Sequence, residues 1–193
     1  MDQYLESTDV IDWQSPEILS LARSLAAEHT SEVDLAKATF EWVRDNVPHT
    51  MDVLRGPVTC TASEVLRHRT GFCYAKSHLL AALLRANGIP AALCYQRLWL
   101  DGEGSATCLH GLNAIYLTGF GWYRVDPRGN KPGVSAQFVP PEERLAFGPK
   151  DGLLSDVAGV FAAPLAVVVE SLKKHSDFRE LVSDLPDLVA EEI

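Results

Sequence analysis

The sequence predicts an α+β fold in which helices come first, an antiparallel sheet follows and further helices end the chain. Apolar residues recur at three- and four-residue steps up to Ala86, and they alternate in strand fashion after Pro90. Short turns separate the successive strands, which implies antiparallel pairing. From Pro140 onward the composition is again typical of helices.

Composition predicts one domain, spanning residues 1–193. A chain of 193 residues with 47% hydrophobic content can bury one substantial core. The formal net charge of -9, from 26 acidic and 17 basic residues, argues against a nucleic-acid partner and an anionic membrane surface. No stretch approaches the roughly 20 apolar residues of a membrane span, and the first residues are not a basic leader. We therefore expect a cytoplasmic protein with no membrane partner.

The cysteines do not form a metal-binding or disulfide pattern. Cys60, Cys73, Cys94 and Cys108 are scattered, and none belongs to a tight Cys-x-x-Cys pair. We expect four reduced thiols, no metal site and no cofactor.

Three helices are predicted before the central region, and an extended connector follows the second. Helical spacing indicates helices over 15–27, from Ser31 to about Asn46, and over 62–68. The connector, 47–52, cannot continue the second helix because Pro48 interrupts it.

Cys73 is predicted to lie in the first turn of a helix that runs from Phe72 to Ala86. In this position the free backbone N–H groups and the positive end of the helix dipole favour a thiolate. Gly71 allows the chain to bend before the helix begins. These features describe an activated nucleophile, although a free cysteine is also commonly a small buried hydrophobic residue.

Three strands follow, over 93–100, 108–117 and 122–126, with a short fourth strand around 135–138. Helices are predicted over 141–147, 164–172 and 178–182.

Three side chains in this order could form a catalytic unit. A nucleophilic cysteine needs a base for its proton and a third group that orients the base. Cys73 lies on a helix, His110 on the second strand and Asp126 at the end of the third. A turn centred on Thr118 would pair His110 directly with Asp126, whereas a turn centred between Gly119 and Phe120 would place Asn113 opposite Asp126.

These residues resemble the transglutaminase-like superfamily, papain-related cysteine enzymes that carry Cys, His and Asp in this order. The resemblance covers about half of the chain, residues 35–138, and leaves 140–193 as a C-terminal helical extension. Three stretches carry it, namely the helix segment 39–47, the nucleophile helix and its exit over 71–91, and the Trp-x-x-x-Asp-Pro strand over 121–127.

The resemblance implies a papain/transglutaminase-like fold, with the nucleophile helix packed on an antiparallel sheet and Cys73, His110 and Asp126 as catalytic residues. It implies a cysteine-dependent acyl-transfer enzyme that cleaves peptide or side-chain amide bonds through a thioacyl intermediate, with a peptide or protein amide as substrate. Two alternatives stay open: a transglutaminase that uses an amine acceptor, and a non-catalytic peptide-binding scaffold with a vestigial triad.

Two positions depart from the family pattern. His110-Gly111-Leu112 stands where the family usually has His-Ala-Trp, so the wall beside the imidazole is less aromatic. His49 stands where the family usually has a tyrosine. His49 is thus a candidate for binding an oxyanion or a substrate carbonyl, with a surface or packing role as the alternative.

Overall fold

A computed structural model describes residues 1–188 as a set of helices packed around a small antiparallel sheet. After a short 3-10 helix, Asp2–Tyr4, the α-helices are α1 (Pro16–Ala27), α2 (Glu32–Asn46), α3 (Thr50–Val53), α4 (Ala62–His68), α5 (Cys73–Ala86), α6 (Ala166–Lys174) and α7 (Phe178–Val182). The strands are β1 (Ala91–Trp99), β2 (Thr107–Leu117), β3 (Gly121–Val125), β4 (Gln137–Val139), β5 (Glu142–Arg144) and β6 (Leu153–Asp156).

The N-terminal helices begin where their capping residues predict. The Ser31 hydroxyl accepts the Asp34 N–H at 3.0 Å and so caps α2. Thr61 and Glu64 form a reciprocal capping box at the start of α4. These local hydrogen bonds fix the helix starts independently of tertiary packing.

Helix α5 lies at the centre of the molecule. All residues from Cys73 to Arg85 are buried, and the helix contacts α1, α2 and α4 as well as strands β1 and β2. Most of these buried residues are apolar, and Lys76, Ser77, His78 and Arg85 among them hydrogen-bond to main-chain carbonyls. The predicted α+β arrangement, with the Cys73 helix packed on an antiparallel sheet, is confirmed.

The main sheet has four antiparallel strands in the order β3-β2-β1-β6. Strands β1 and β2 form its longest pair, from Ala91 opposite Ile115 to Trp99 opposite Thr107. Leu117 lies opposite Gly121, so the turn between β2 and β3 is centred on Gly119. This register differs by two residues from the first of those considered above and by one residue from the second.

The predictions after residue 126 were partly wrong. Segment 141–147 is not a helix, because β5 forms there and pairs with β4 in a separate two-stranded sheet. The predicted fourth strand, β4, therefore does not join the main sheet. The fourth strand of the main sheet is β6, which pairs with β1. The connector 47–52 is extended only until His49, after which α3 makes one turn.

The C-terminal helices α6 and α7 form close to their predicted positions. Positions 189–193 of the predicted extension lie outside the described residues. Within residues 1–188, no helix combines the length and the hydropathy that crossing a bilayer requires.

Candidate active site

Cys73 is the first residue of α5, so its N–H has no partner inside the helix. Its side chain is 7% exposed and opens into a cleft. Gly71 precedes it with an ordinary backbone φ, and a Cβ there would lie 3.2 Å from Thr59 Oγ1 and 3.3 Å from Ala75 Cβ. Gly71 is therefore closely packed beneath the helix start, and the bend does not depend on a left-handed conformation.

The Cys73 sulfur is held against strand β2. The Gly111 N–H donates to Sγ at 3.4 Å, and the Tyr74 hydroxyl donates to the Leu109 carbonyl. A Cβ at Gly111 would lie 2.9 Å from Tyr74 Cα, so only glycine lets the strand approach the helix this closely. The residue that departs from the family pattern thus supplies a hydrogen bond to the nucleophile.

His110 connects Cys73 to Asp126. Its Nε2 lies 2.7 Å from Asp126 Oδ2, and His110 and Cys73 line the same cleft. The Phe147 ring meets the imidazole edge to face, with centroids 4.9 Å apart. Backbone N–H groups of Arg128 and Ala146 donate to the Asp126 carboxylate at 3.0 and 3.2 Å. The Phe147 ring and the Asp126 carboxylate therefore both orient the imidazole.

The structure brings all three sequence-predicted residues together, but through a different register from the two that were considered. Continuing the β2–β3 pairing by one residue beyond Asn113 and Val125 would set Leu112 opposite Asp126. His110 and Asp126 are consequently diagonal neighbours, two residues apart in register and on one face of the sheet. No bulge interrupts the β1–β2 pairing at Gly111.

Electrostatics favour a charged His110–Asp126 pair. Burial opposes protonation of His110, but the charges of Asp126 and Cys73 and hydrogen bonds to both raise its pKa to about 10. Burial likewise opposes ionisation of Asp126, and His110 with the two backbone N–H groups nevertheless lowers its pKa. The imidazolium is thus the stable form of His110 at neutral pH.

His49 lies on the other side of Cys73. It forms an isolated parallel bridge with Gly71, and its Nε2 accepts the Cys73 N–H at 3.1 Å. Burial, together with the positive charges of Arg128 and Lys76, lowers the pKa of His49 well below its ordinary value. The ring is therefore neutral, and it is buried beside the nucleophile, not at the surface.

The protonated nitrogen of His49 determines which backbone group it binds. Its Nδ1 faces the Met51 N–H at 3.2 Å, while its Nε2 faces the Cys73 N–H. A neutral imidazole has one acceptor nitrogen, so only one of these contacts is a hydrogen bond at a time. A proton on Nε2 would keep the Met51 contact and release the Cys73 N–H.

Two basic residues that the sequence reasoning missed support this arrangement. Lys76 is buried, and its Nζ donates to the main-chain carbonyls of Arg44 at 3.3 Å, of Val47, and of Arg128 at 2.9 Å. The Arg128 guanidinium forms a bidentate ion pair with Asp52 at 2.7 and 2.9 Å. Both contacts tie the loop after Asp126 to the segment around His49. A lysine one helical turn after the nucleophile is the sequence signal that could have pointed to this role.

The cleft that contains these residues has a volume of about 510 Å³. It is lined by residues from the start of α5, from the end of β1, from the beginning of β2 and from α7 with the residues after it. Its described lining consists of His49, Met51, Phe72, Cys73, Tyr74, Leu98, Leu100, Asp101, Cys108, Leu109, His110, Arg128, Phe147, Val182 and Leu185.

No group of three His, Cys, Asp or Glu side chains within residues 1–188 is placed to hold a metal ion. All four cysteines are free thiols, and burial raises the pKa of Cys60 to about 11 and of Cys94 and Cys108 to about 12. These three thiols are inert at neutral pH.

A cysteine at a helix start beside a strand-borne histidine and a carboxylate is the arrangement of a cysteine-type catalytic fold. The profile of the transglutaminase-like superfamily matches residues 19–127, more than half of the chain. The chain therefore belongs to the transglutaminase-like superfamily. A comparison with curated proteins gave no match.

A search of solved structures found several matches, including the following two. A putative cysteine protease from Cytophaga hutchinsonii is 19% identical with a TM-score of 0.53, covering 80% of this chain and 45% of that chain. The periplasmic domain of TgpA from Pseudomonas aeruginosa is 25% identical with a TM-score of 0.48, covering 64% of this chain and 45% of that chain. The chain thus spans less than half the length of either structure.

Proposed function

We propose that this protein is a cysteine-dependent acyl-transfer enzyme that cleaves peptide or side-chain amide bonds through a thioacyl intermediate. The main support is that one buried imidazole, His110, lies 2.7 Å from Asp126 and lines the same cleft as the Cys73 thiol at the start of α5. A histidine in this position can take the thiol proton and later return it, which gives an activated nucleophile and a proton donor in one site.

In the first half of the reaction, Cys73 Sγ attacks the carbonyl carbon of the amide. The carbon–sulfur bond forms and the carbonyl oxygen takes up negative charge. When this intermediate collapses, the carbon–nitrogen bond breaks and His110 gives its proton to the departing amine. Asp126 holds the imidazole in the required tautomer and orientation throughout.

In the second half, neutral His110 takes a proton from water, and the water oxygen attacks the thioester carbon. The carbon–sulfur bond then breaks, the acid is released, and Cys73 and His110 return to their charged forms. An amine in place of water would give transamidation, which is the second candidate within the same chemistry.

We assign oxyanion binding to the Cys73 N–H and to His49. With the His49 proton on Nδ1, Nε2 accepts this N–H at 3.1 Å, so the oxyanion donor is occupied. With the His49 proton on Nε2, the Met51 N–H binds Nδ1, and both Nε2–H and the Cys73 N–H can donate to a substrate oxygen between them. Two donors of this kind are typical of oxyanion holes.

Four free thiols are consistent with work in a reducing compartment, and on this ground we propose a cytoplasmic location. The substrates we propose are peptides or proteins that present an amide to the cleft.

The test is alkylation of the intact protein with iodoacetamide at pH 6, with each cysteine quantified by peptide mass spectrometry. Cys73 should be labelled while Cys60, Cys94 and Cys108 are not, because the pKa values of the latter are about 11, 12 and 12. A His110→Ala variant should lose this labelling. Labelling that is equal at all four thiols, or absent at Cys73, would favour the non-catalytic scaffold.

Transglutaminase activity has a separate readout. A labelled primary amine should be incorporated into an acyl donor if the amine intercepts the thioester, and it should not if water does.

A further inference from the structure

Six apolar residues that line the active-site cleft, called here the apolar wall, come from two distant parts of the chain. Strands β1 and β2 and the residue after β1 contribute the first part, and helix α7 and the turn after it contribute the second. The side chains of this apolar wall are Leu98, Leu100, Cys108, Leu109, Val182 and Leu185.

We propose that the apolar wall binds a bulky apolar side chain in the acyl part of the substrate, and that segment 178–187 builds this subsite. This inference rests on the proposed function, since it concerns the group attached to the carbonyl that Cys73 attacks. Segment 178–187 lies outside residues 19–127, to which the superfamily profile extends. The subsite would therefore be a feature of this chain in addition to its family core.

Segment 178–187 is attached firmly to strand β2. The Leu109 N–H donates to the Pro186 carbonyl at 2.8 Å. Asp187 forms a bidentate ion pair with Arg97 at 2.8 and 2.7 Å and also accepts the Thr107 hydroxyl. The segment thus lies beside the first half of β2, which β3 does not reach, and its position relative to Cys73 is fixed.

The chemistry of the wall excludes a charged occupant. Apart from the catalytic residues, the charged side chains among the described lining residues are Asp101 and Arg128, and Arg128 is paired with Asp52. A carboxylate bound against the wall would lose its hydration without finding a partner, which is costly. The volume of about 510 Å³ lies within the range of pockets for small ligands, so it fits part of a peptide.

The direction of the substrate follows from His110. This residue delivers the proton to the leaving amine, and its ring contacts Phe147 with centroids 4.9 Å apart. We infer that the amine departs on the Phe147 side of His110, which leaves the apolar wall, to which Phe147 and Arg128 do not belong, for the acyl part.

The test compares three thiol reagents on the intact protein: iodoacetamide, and the chloromethyl ketones of acetyl-leucine and acetyl-aspartate. Each forms a carbon–sulfur bond with Cys73 and releases halide. The second-order rate constant of each ketone is divided by that of iodoacetamide, which removes differences in thiol reactivity. The leucine ketone should react at least about tenfold faster than the aspartate ketone on this scale.

Two variants locate the subsite, each with a matched control. Leu100 is 46% exposed, so Leu100→Lys should fold normally and shift the ratio toward the aspartate ketone by about tenfold. Leu154, 41% exposed and outside the cleft, provides the control Leu154→Lys, which should leave the ratio unchanged. Val182→Ser should reduce the leucine preference, whereas Val169→Ser, on α6 and equally half-buried, should not.

The outcomes separate this inference from the proposed function. If iodoacetamide fails to label Cys73 selectively, the proposed function is wrong. If labelling is selective but the two ketones react equally, the function stands and the apolar subsite is refuted. If Leu100→Lys changes the ratio but Val182→Ser does not, the subsite exists without a contribution from segment 178–187, which overturns that part of the inference.

Discussion

Gly111→Ala is the substitution that most directly tests how the nucleophile is positioned. The added Cβ would lie 2.9 Å from Tyr74 Cα and 3.1 Å from Tyr74 N, which are backbone atoms of α5 and cannot rotate away. Ordinary van der Waals contact begins near 3.4 Å, so strand and helix must separate by about 0.5 Å. The Gly111 N–H to Cys73 Sγ distance, now 3.4 Å, would lengthen by a similar amount.

The expected loss follows from this separation. A hydrogen bond to a charged group contributes about 1.5–3 kcal/mol, so losing half of it should slow Cys73 alkylation at pH 6 about tenfold. Overpacking should also lower the free energy of unfolding by about 1–3 kcal/mol. The two measurements are the second-order rate constant with iodoacetamide and urea unfolding.

Gly148→Ala is the matched control, because Gly148 also has an ordinary φ and its nearest neighbour, Asp151 Oδ2, lies at 3.5 Å. It should change neither the alkylation rate nor the unfolding free energy. Normal alkylation in Gly111→Ala would mean that the N–H contact does not stabilise the thiolate. A loss of equal size in Gly148→Ala would show that the effect is not specific to the site.

Three further predictions concern the groups around Cys73 and His110. Asp126→Asn should abolish selective alkylation at pH 6 and reduce the pH dependence of the free energy of unfolding. The raised pKa of His110 contributes stability that is complete below pH 6.5 and is lost as the pH rises through about 10. The free energies of unfolding in urea at pH 6 and pH 9 should therefore differ less in the variant than in the wild type. His49→Ala should slow acylation by p-nitrophenyl acetate about 10²-fold while leaving iodoacetamide alkylation nearly unchanged, because alkylation forms no oxyanion; equal losses in both would assign His49 to packing. Lys76→Met should lower the free energy of unfolding by about 3 kcal/mol or more, since three buried carbonyls lose their donor, whereas the exposed Lys37→Met should have no such effect.

Local signals were sufficient to predict the N-terminal helices. Ser31 and Thr61 cap α2 and α4 through their own side chains, and α5 ends at Ala86, before Asn87-Gly88. Each boundary depends on residues within one helical turn of it. Because these residues are neighbours in the sequence, the sequence alone was sufficient to predict where these helices begin and end.

The register of β2 and β3 could not be predicted in the same way. The turn contains Gly119 and Gly121, both with positive φ, and a loop with two such glycines permits several centres. The observed centre at Gly119 sets Asp126 diagonally across from His110. The sequence therefore predicted that His110 and Asp126 would meet, but it did not predict which positions of β2 and β3 lie opposite each other.

Tertiary contacts overrode local preference after residue 140. Pro141-Glu142-Glu143 resembles a helix start, with proline and acidic residues in the first turn. The Tyr123 hydroxyl instead donates to the Glu142 carbonyl and accepts the Val139 N–H, and Arg124 pairs with the Glu143 carboxylate. These contacts hold β4 and β5 beside β3 as a hairpin. The structure of this segment thus depends on Tyr123 and Arg124 of β3, which a local sequence pattern does not include.

Much of the site consists of backbone N–H groups, and this explains why residue types alone describe it incompletely. The Cys73 N–H binds His49, the Gly111 N–H binds the sulfur, and the N–H groups of Arg128 and Ala146 bind the Asp126 carboxylate. The Cys73 N–H is free because it begins a helix, and the Gly111 N–H lies beyond the end of the β2–β3 pairing. Arg128 and Ala146 lie outside the strands, so their N–H groups are free to bind a side chain. A substitution that preserves all three side chains can therefore still disable the nucleophile by moving a backbone donor, and Gly111→Ala is the case in which the displacement is forced by atoms that cannot yield.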